Sequence, residues 1–148
     1  MLSILNFTLL AAAGAWVGAI LFQSAIVAPS VFGVLDEPAA RGFLRALFPR
    51  FFRFGTVCGG LCLLAALASG FVGGWHATTV SVAALSAAMA VISVVALAMI
   101  PAINAARDAG EAGHARFAAL HRVSVALTIL MLLIGLAIVA LTVRGSTV

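Results

Sequence analysis

His121, Ser124 and Thr128 stand at i, i+3 and i+7, so on a helix they share one face. An imidazole is the side chain that changes charge near neutral pH, and the two hydroxyls beside it can both donate and accept hydrogen bonds. Gln23 and Ser24 lie about a turn before Pro29, and Asn104 follows Pro101. Antiparallel helices would bring these groups to one level, with Arg50 and Arg122 at the rim. Gln23, Asn104, His121, Ser124, Arg122 and Arg50 are therefore the candidate ligand-binding residues. The competing reading is structural: polar side chains in a membrane bundle bond across helices and to backbone, at about 0.6 kcal/mol each. No nucleophile elbow, Gly-rich phosphate loop or zinc helix with paired histidines accompanies them. No catalytic residue is assigned, and a binding role is favoured over an enzyme.

Histidine and cysteine also raise haem b and copper. A b-type haem held between two helices needs axial ligands that face each other. Only His121 is well placed: His76 belongs to the other side of the membrane, and Gly110 and Gly113 put His114 in a connection. Cys58 and Cys62, at i and i+4, could hold Cu(I) with a methionine such as Met99. Two thiols without a third ligand make a weak site, and Cys is equally an ordinary small apolar residue. No cofactor is predicted; a haem- or copper-binding redox protein using His121 is the alternative function.

The elements that must position these groups follow from composition. The chain has 148 residues, 65% hydrophobic and 8% charged, against roughly 25% charged in soluble domains. Four apolar runs, about 4–28, 55–74, 77–100 and 123–143, each approach or exceed the roughly 20 residues that cross a bilayer. Lipid offers the backbone no partners, so such runs are helical. The expectation is all-α: an antiparallel four-helix transmembrane bundle forming one domain over residues 1–148. The first run reads as a span rather than a cleaved signal peptide, because it is too long and no basic residue precedes it. No charge lies mid-span, which disfavours a proton path built on a buried carboxylate. A net charge of +4 reflects topology, not nucleic-acid binding.

Arginine sets the orientation. Arg41, Arg45, Arg50 and Arg53 lie between the first two spans, and Arg107, Arg116 and Arg122 between the last two. Only Arg144 lies opposite, so both long connections are expected in the cytoplasm and both termini in the periplasm of a bacterial inner membrane. Asp36 can cap a helix opened by Glu37 and Pro38. Ala40, Phe43, Leu44 and Leu47 then recur at helical spacing, which predicts a short amphipathic helix at the cytoplasmic interface. Pro49 is expected to end it inside LFPRFFRF (47–54), whose phenylalanines sink while Arg50 and Arg53 reach the headgroups. Pro29 and Pro101 are expected to end the first and third spans. Asp36, Glu37, Asp108 and Glu111 read as helix caps and partners of arginines.

Small residues supply close-packing faces at Gly14–Gly18, Gly55–Gly59 and Gly70–Gly74. Gly14–Gly18 is the expected contact of a homo-oligomer, and membrane lipids are the other expected partners. Trp16, mid-span, is expected between helices or beside a cavity.

VAPSVFGVL (27–35), LFPRFF (47–52), the proline closing the third run and FAALHRVS (117–124) together resemble a bacterial four-helix membrane domain of unknown function related to vertebrate transmembrane protein 205. The resemblance covers nearly the whole chain. It implies a four-span protein with recurrent positions at Pro29, Phe32, Phe48, Pro49, His121, Arg122 and Ser124. Thr128 stands where that family would be expected to carry Asn. The resemblance supplies no established activity; the vertebrate relative is associated with drug resistance, a hint of export or trafficking. The function expected is a polytopic membrane protein that binds or passes a small molecule or lipid at a polar pocket in the inner leaflet.

Overall fold

The computed structural model describes residues 1–145, and the fold is all-helical. The first span is composite: α1 (Leu2–Phe22), a π-helical turn (Gln23–Val27) and α2 (Ala28–Val34). Then come α3 (Glu37–Gly73), α4 (Ala77–Asp108), a 3₁₀ turn (Gly110–Gly113) and α5 (His114–Gly145). The four spans, Leu2–Val34, Glu37–Gly73, Ala77–Asp108 and Gly110–Gly145, are long and apolar enough to cross a membrane. A 33-residue helix runs about 50 Å at 1.5 Å per residue, well beyond the roughly 30 Å of hydrocarbon. The excess carries the arginines out of the apolar layer.

No proline ends a span. Pro29 lies inside α2, Pro49 inside α3 and Pro101 inside α4. The amphipathic segment after Asp36 is accordingly the first part of α3 rather than a separate interfacial helix. Near Pro29 the break is accommodated locally. Just before Pro29 the chain widens into the π turn, where the Ala28 N–H reaches back to the Gln23 carbonyl, and a wider turn absorbs a break in the i→i−4 ladder. Beside Pro49, the Arg50 side chain folds back on its own helix, Nη1 donating to the Ala46 carbonyl at 2.6 Å. Neighbouring helices and local turn adjustments are what let membrane helices tolerate interior proline. His114 opens α5 instead of lying in the connection. Asp36 does cap α3, accepting from the Ala39 N–H at 2.9 Å, and Gly74 takes φ +97 in the turn to α4.

The core runs through the middle of the bundle. Trp16, Met89, Met131, Ile138 and Cys62 are fully enclosed. Trp16 packs on Phe51 (centroids 4.7 Å apart) and Phe54 (6.2 Å), so LFPRFFRF supplies an aromatic cluster in which Phe51 and Phe52 are buried while Arg50 and Arg53 stay exposed. Buried hydroxyls bond within their own helices: Ser86 to Val82 O (2.7 Å), Ser93 to Met89 O (2.9 Å) and Thr142 to Ile138 O (2.7 Å).

The three Gly pairs differ in use. A Cβ at Gly59 would lie 2.8 Å from the Ala90 backbone, and one at Gly55 2.6 Å from the Trp16 ring; here α3 and α4 touch main chain to main chain. Gly70 receives the Trp75 ring. Gly14 and Gly18 have open space around them and face outward. Gly59→Val should therefore cost about 1–3 kcal/mol by overpacking and lower the melting temperature in detergent. Gly60→Val, where nothing lies within 4 Å, should leave it nearly unchanged; equal effects would refute the close contact.

Candidate functional site

At the arginine-rich end the bundle encloses a cavity of about 660 Å³. The first span contributes Ile20, Gln23 and Ser24. From α3 come Arg41, Arg45 and the phenylalanines 48, 51 and 52; from α4, Ile100, Ile103, Asn104 and Arg107. The last wall is the face of α5 bearing Phe117, His121, Ser124 and Thr128. Tertiary packing explains why space exists here. α1 packs along α5, but no Cα of the π turn or α2 comes within 8 Å of it. Past Phe22 the π turn approaches none of the other three spans and α2 approaches only α3, leaving a side opening between the first and last spans.

The sequence-derived set is brought together in part. Gln23, Asn104, His121 and Ser124 all line this one cavity, as does Thr128. Arg50 and Arg122 do not: both are exposed, and the Arg50 guanidinium is engaged with Ala46 O. Their place at the mouth is taken by Arg41, Arg45 and Arg107. Charge pattern alone assigned these three to topology; the pairing of Arg45 with Asp108 across 63 residues is what draws α3 and α4 together there, and sequence spacing could not reveal it. Arg41 pairs with Glu37 one turn earlier at 2.6 Å, within reach of an i, i+4 reading.

Partners separate the polar groups into two kinds. Thr128 Oγ1 donates to Ser124 O at 2.9 Å, the same back-bonding seen throughout the core. The side-chain amide of Gln23, a residue buried but for 9% of its surface, opens onto the cavity with no hydrogen-bond partner among the described residues; neither has that of half-buried Asn104. The Nε atoms of Arg41 and Arg45 are buried without an acceptor. A buried donor left unpaired costs about 1–3 kcal/mol. Phe117 carries both remaining groups: the His121 ring lies parallel to it (centroids 5.7 Å apart, 8° between planes) and Arg107 Cζ sits 4.9 Å from its centroid.

Metal-binding candidates fare differently. Among the described residues no three His, Cys, Asp or Glu side chains gather within reach of one ion. Cys58 and Cys62 are buried free thiols, and Cys62 Sγ donates to Leu9 O at 3.8 Å, tying α3 to α1 within the apolar core.

Residues 11–112, which take in most of the first span and all of α3 and α4, match a family model described as "Domain of unknown function (DUF4149)". The chain belongs to this family. The DUF4149 match takes in Gln23, Arg41, Arg45, Asn104 and Arg107 and stops before His121, so it covers three walls of the cavity and not the α5 wall. No curated protein and no solved structure matches the chain.

Proposed function

We propose that this multi-pass membrane protein binds or passes a small molecule or lipid in the cavity at its arginine-rich end, and that this end faces the cytoplasm. The observation that carries the reading is the meeting of four partnerless polar groups on one cavity wall: the Gln23 and Asn104 amides and the buried Nε atoms of Arg41 and Arg45. An unpaired polar group away from water is a net cost, which a ligand held there would offset. The volume lies within the roughly 300–1,000 Å³ of small-molecule sites. The motif resemblance to relatives of vertebrate transmembrane protein 205 supports the same role in a bacterial inner membrane. Gly14 and Gly18, open and outward-facing, are the proposed face of a homo-oligomer; replacing both with Leu would leave native mass unchanged if they are not.

Native mass spectrometry of protein released from its own membrane tests the binding role. The wild-type chain should carry one non-protein mass, and Ser124→Phe with Thr128→Phe, which fills the cavity, should lose it without unfolding. His121→Ala should lower occupancy with melting temperature intact. Normal occupancy together with a loss of about 1 kcal/mol, the scale of a lost packing or hydrogen-bond contact, would instead make His121 a structural prop for Phe117.

Orientation follows from seven arginines on one side against one on the other. A periplasm-dependent reporter fused to the C-terminus should be active, and a cytoplasm-dependent one inactive. The reverse result would move the cavity to the outer leaflet.

A further inference from the structure

The charges around the cavity are of one sign. Arg41, Arg45 and Arg107 line it, and no Asp or Glu does. Glu37 and Asp108 engage terminal nitrogens of Arg41 and Arg45, leaving the Nε donors of both buried and unanswered. Arg107 has no carboxylate within ion-pair distance among the described residues and rests on the Phe117 ring instead. Beside these cations stands the unpartnered Gln23 amide. The complement of such donors is an oxyanion, because charge-assisted hydrogen bonds to carboxylate or phosphate are the strongest these groups make.

Behind the mouth the wall changes character. Phe48, Phe51 and Phe52 on α3, Ile100 on α4 and Ile129 and Leu132 on α5 present hydrocarbon. A small hydrophilic anion would leave that wall empty, and an uncharged hydrocarbon would leave the arginines unanswered. The way in is also defined: α1 closes against α5, whereas the π turn and α2 do not, and exposed Leu21, Ser24, Phe32 and Ile129 border the opening. That opening faces sideways, toward lipid.

We propose that the ligand is a single-tailed anionic amphiphile that enters from the bilayer between α2 and α5. Its carboxylate or phosphate head meets Arg107, Arg41 and Gln23, and its alkyl tail lies along the phenylalanine wall. The assignment rests on the binding role proposed above and names the ligand class for that same cavity.

The test uses the full chain in phosphatidylcholine nanodiscs, titrated calorimetrically against empty discs with dodecyl phosphate, dodecanoate, dodecanol and dodecyltrimethylammonium. The two anions should bind, and the cation should bind at least about tenfold more weakly, the scale of one charge-assisted contact. Arg107→Gln should weaken dodecyl phosphate by about tenfold while leaving dodecanol unchanged, and Arg107→Lys should restore most of the loss. Inorganic phosphate alone should neither bind nor compete, and phosphatidic acid doped into the disc should not displace dodecyl phosphate. Cation binding equal to that of the anions, or no effect of Arg107→Gln, would overturn the oxyanion head. Competition by inorganic phosphate would overturn the need for a tail, and competition by phosphatidic acid the single-tailed assignment. If none of the dodecyl compounds binds while the native preparation still carries its non-protein mass, the amphiphile assignment falls and the binding role stands; if that mass is absent too, both fall.

Discussion

Inside a membrane a polar group has no water to fall back on, and the protein must supply every partner itself. Nearly everything in this bundle follows from how that demand is met. Hydroxyls can meet it cheaply, because Ser and Thr reach the carbonyl one turn back; Ser86, Ser93, Thr128 and Thr142 all do. Such residues can therefore sit at helix contacts where their small size matters, with no cross-helix partner needed. Pro29 meets it by local repair, through the π turn beside it. Primary amides and arginine Nε have no equivalent device. Where they stay unpaired, at Gln23, Asn104, Arg41 and Arg45, they border a single space. Among the described residues Trp16 Nε1 is the other buried orphan; its ring packs on Phe51 and Gly55 and does not itself line that space.

The bundle divides into two halves with different jobs. Toward the termini, α1, α3, α4 and α5 close around Met89, Met131 and Ile138, and Gly55 and Gly59 let α3 meet Trp16 and Ala90 at contact distance. That rigid half fixes where the spans diverge. Past Phe22 the first span departs from α5, and α3 and α4 are held at the far end by the Arg45–Asp108 pair. Being about half exposed, that pair contributes at most about 1 kcal/mol, so its effect is one of register more than of stability. The phenylalanines of LFPRFFRF serve both halves: Phe51 packs on Trp16 on one side and lines the cavity on the other.

Hydropathy and arginine spacing made the four spans legible, because the bilayer imposes a length that few other environments require. The α5 face was legible for the same reason, since His121, Ser124 and Thr128 obey helical periodicity whatever they contact. Gln23 and Asn104 could be placed at the same level by counting from Pro29 and Pro101, even though neither proline ends its helix. Proline misled because its cost is judged against soluble helices, whereas α2, α3 and α4 each continue through theirs. The arginines misled for a different reason. Arg50 and Arg122 adjoin recognisable motifs, but which guanidinium turns inward depends on the long-range Arg45–Asp108 contact and on Phe117 underlying Arg107. No local pattern encodes that.

The central claim is that a single alkyl chain reaches the inside of the arginine-rich half and not the core of the other half. Methyl NOE spectroscopy in deuterated bicelles loaded with protonated dodecyl phosphate, with isoleucine methyls labelled in a deuterated protein, measures this directly. Ile20, only 3% exposed yet on the cavity wall, and Ile103 should show cross-peaks to the dodecyl methylenes, while fully enclosed Ile138 should show none. Silence at Ile20 and Ile103 alongside strong cross-peaks at outward-facing Ile4 would contradict the account.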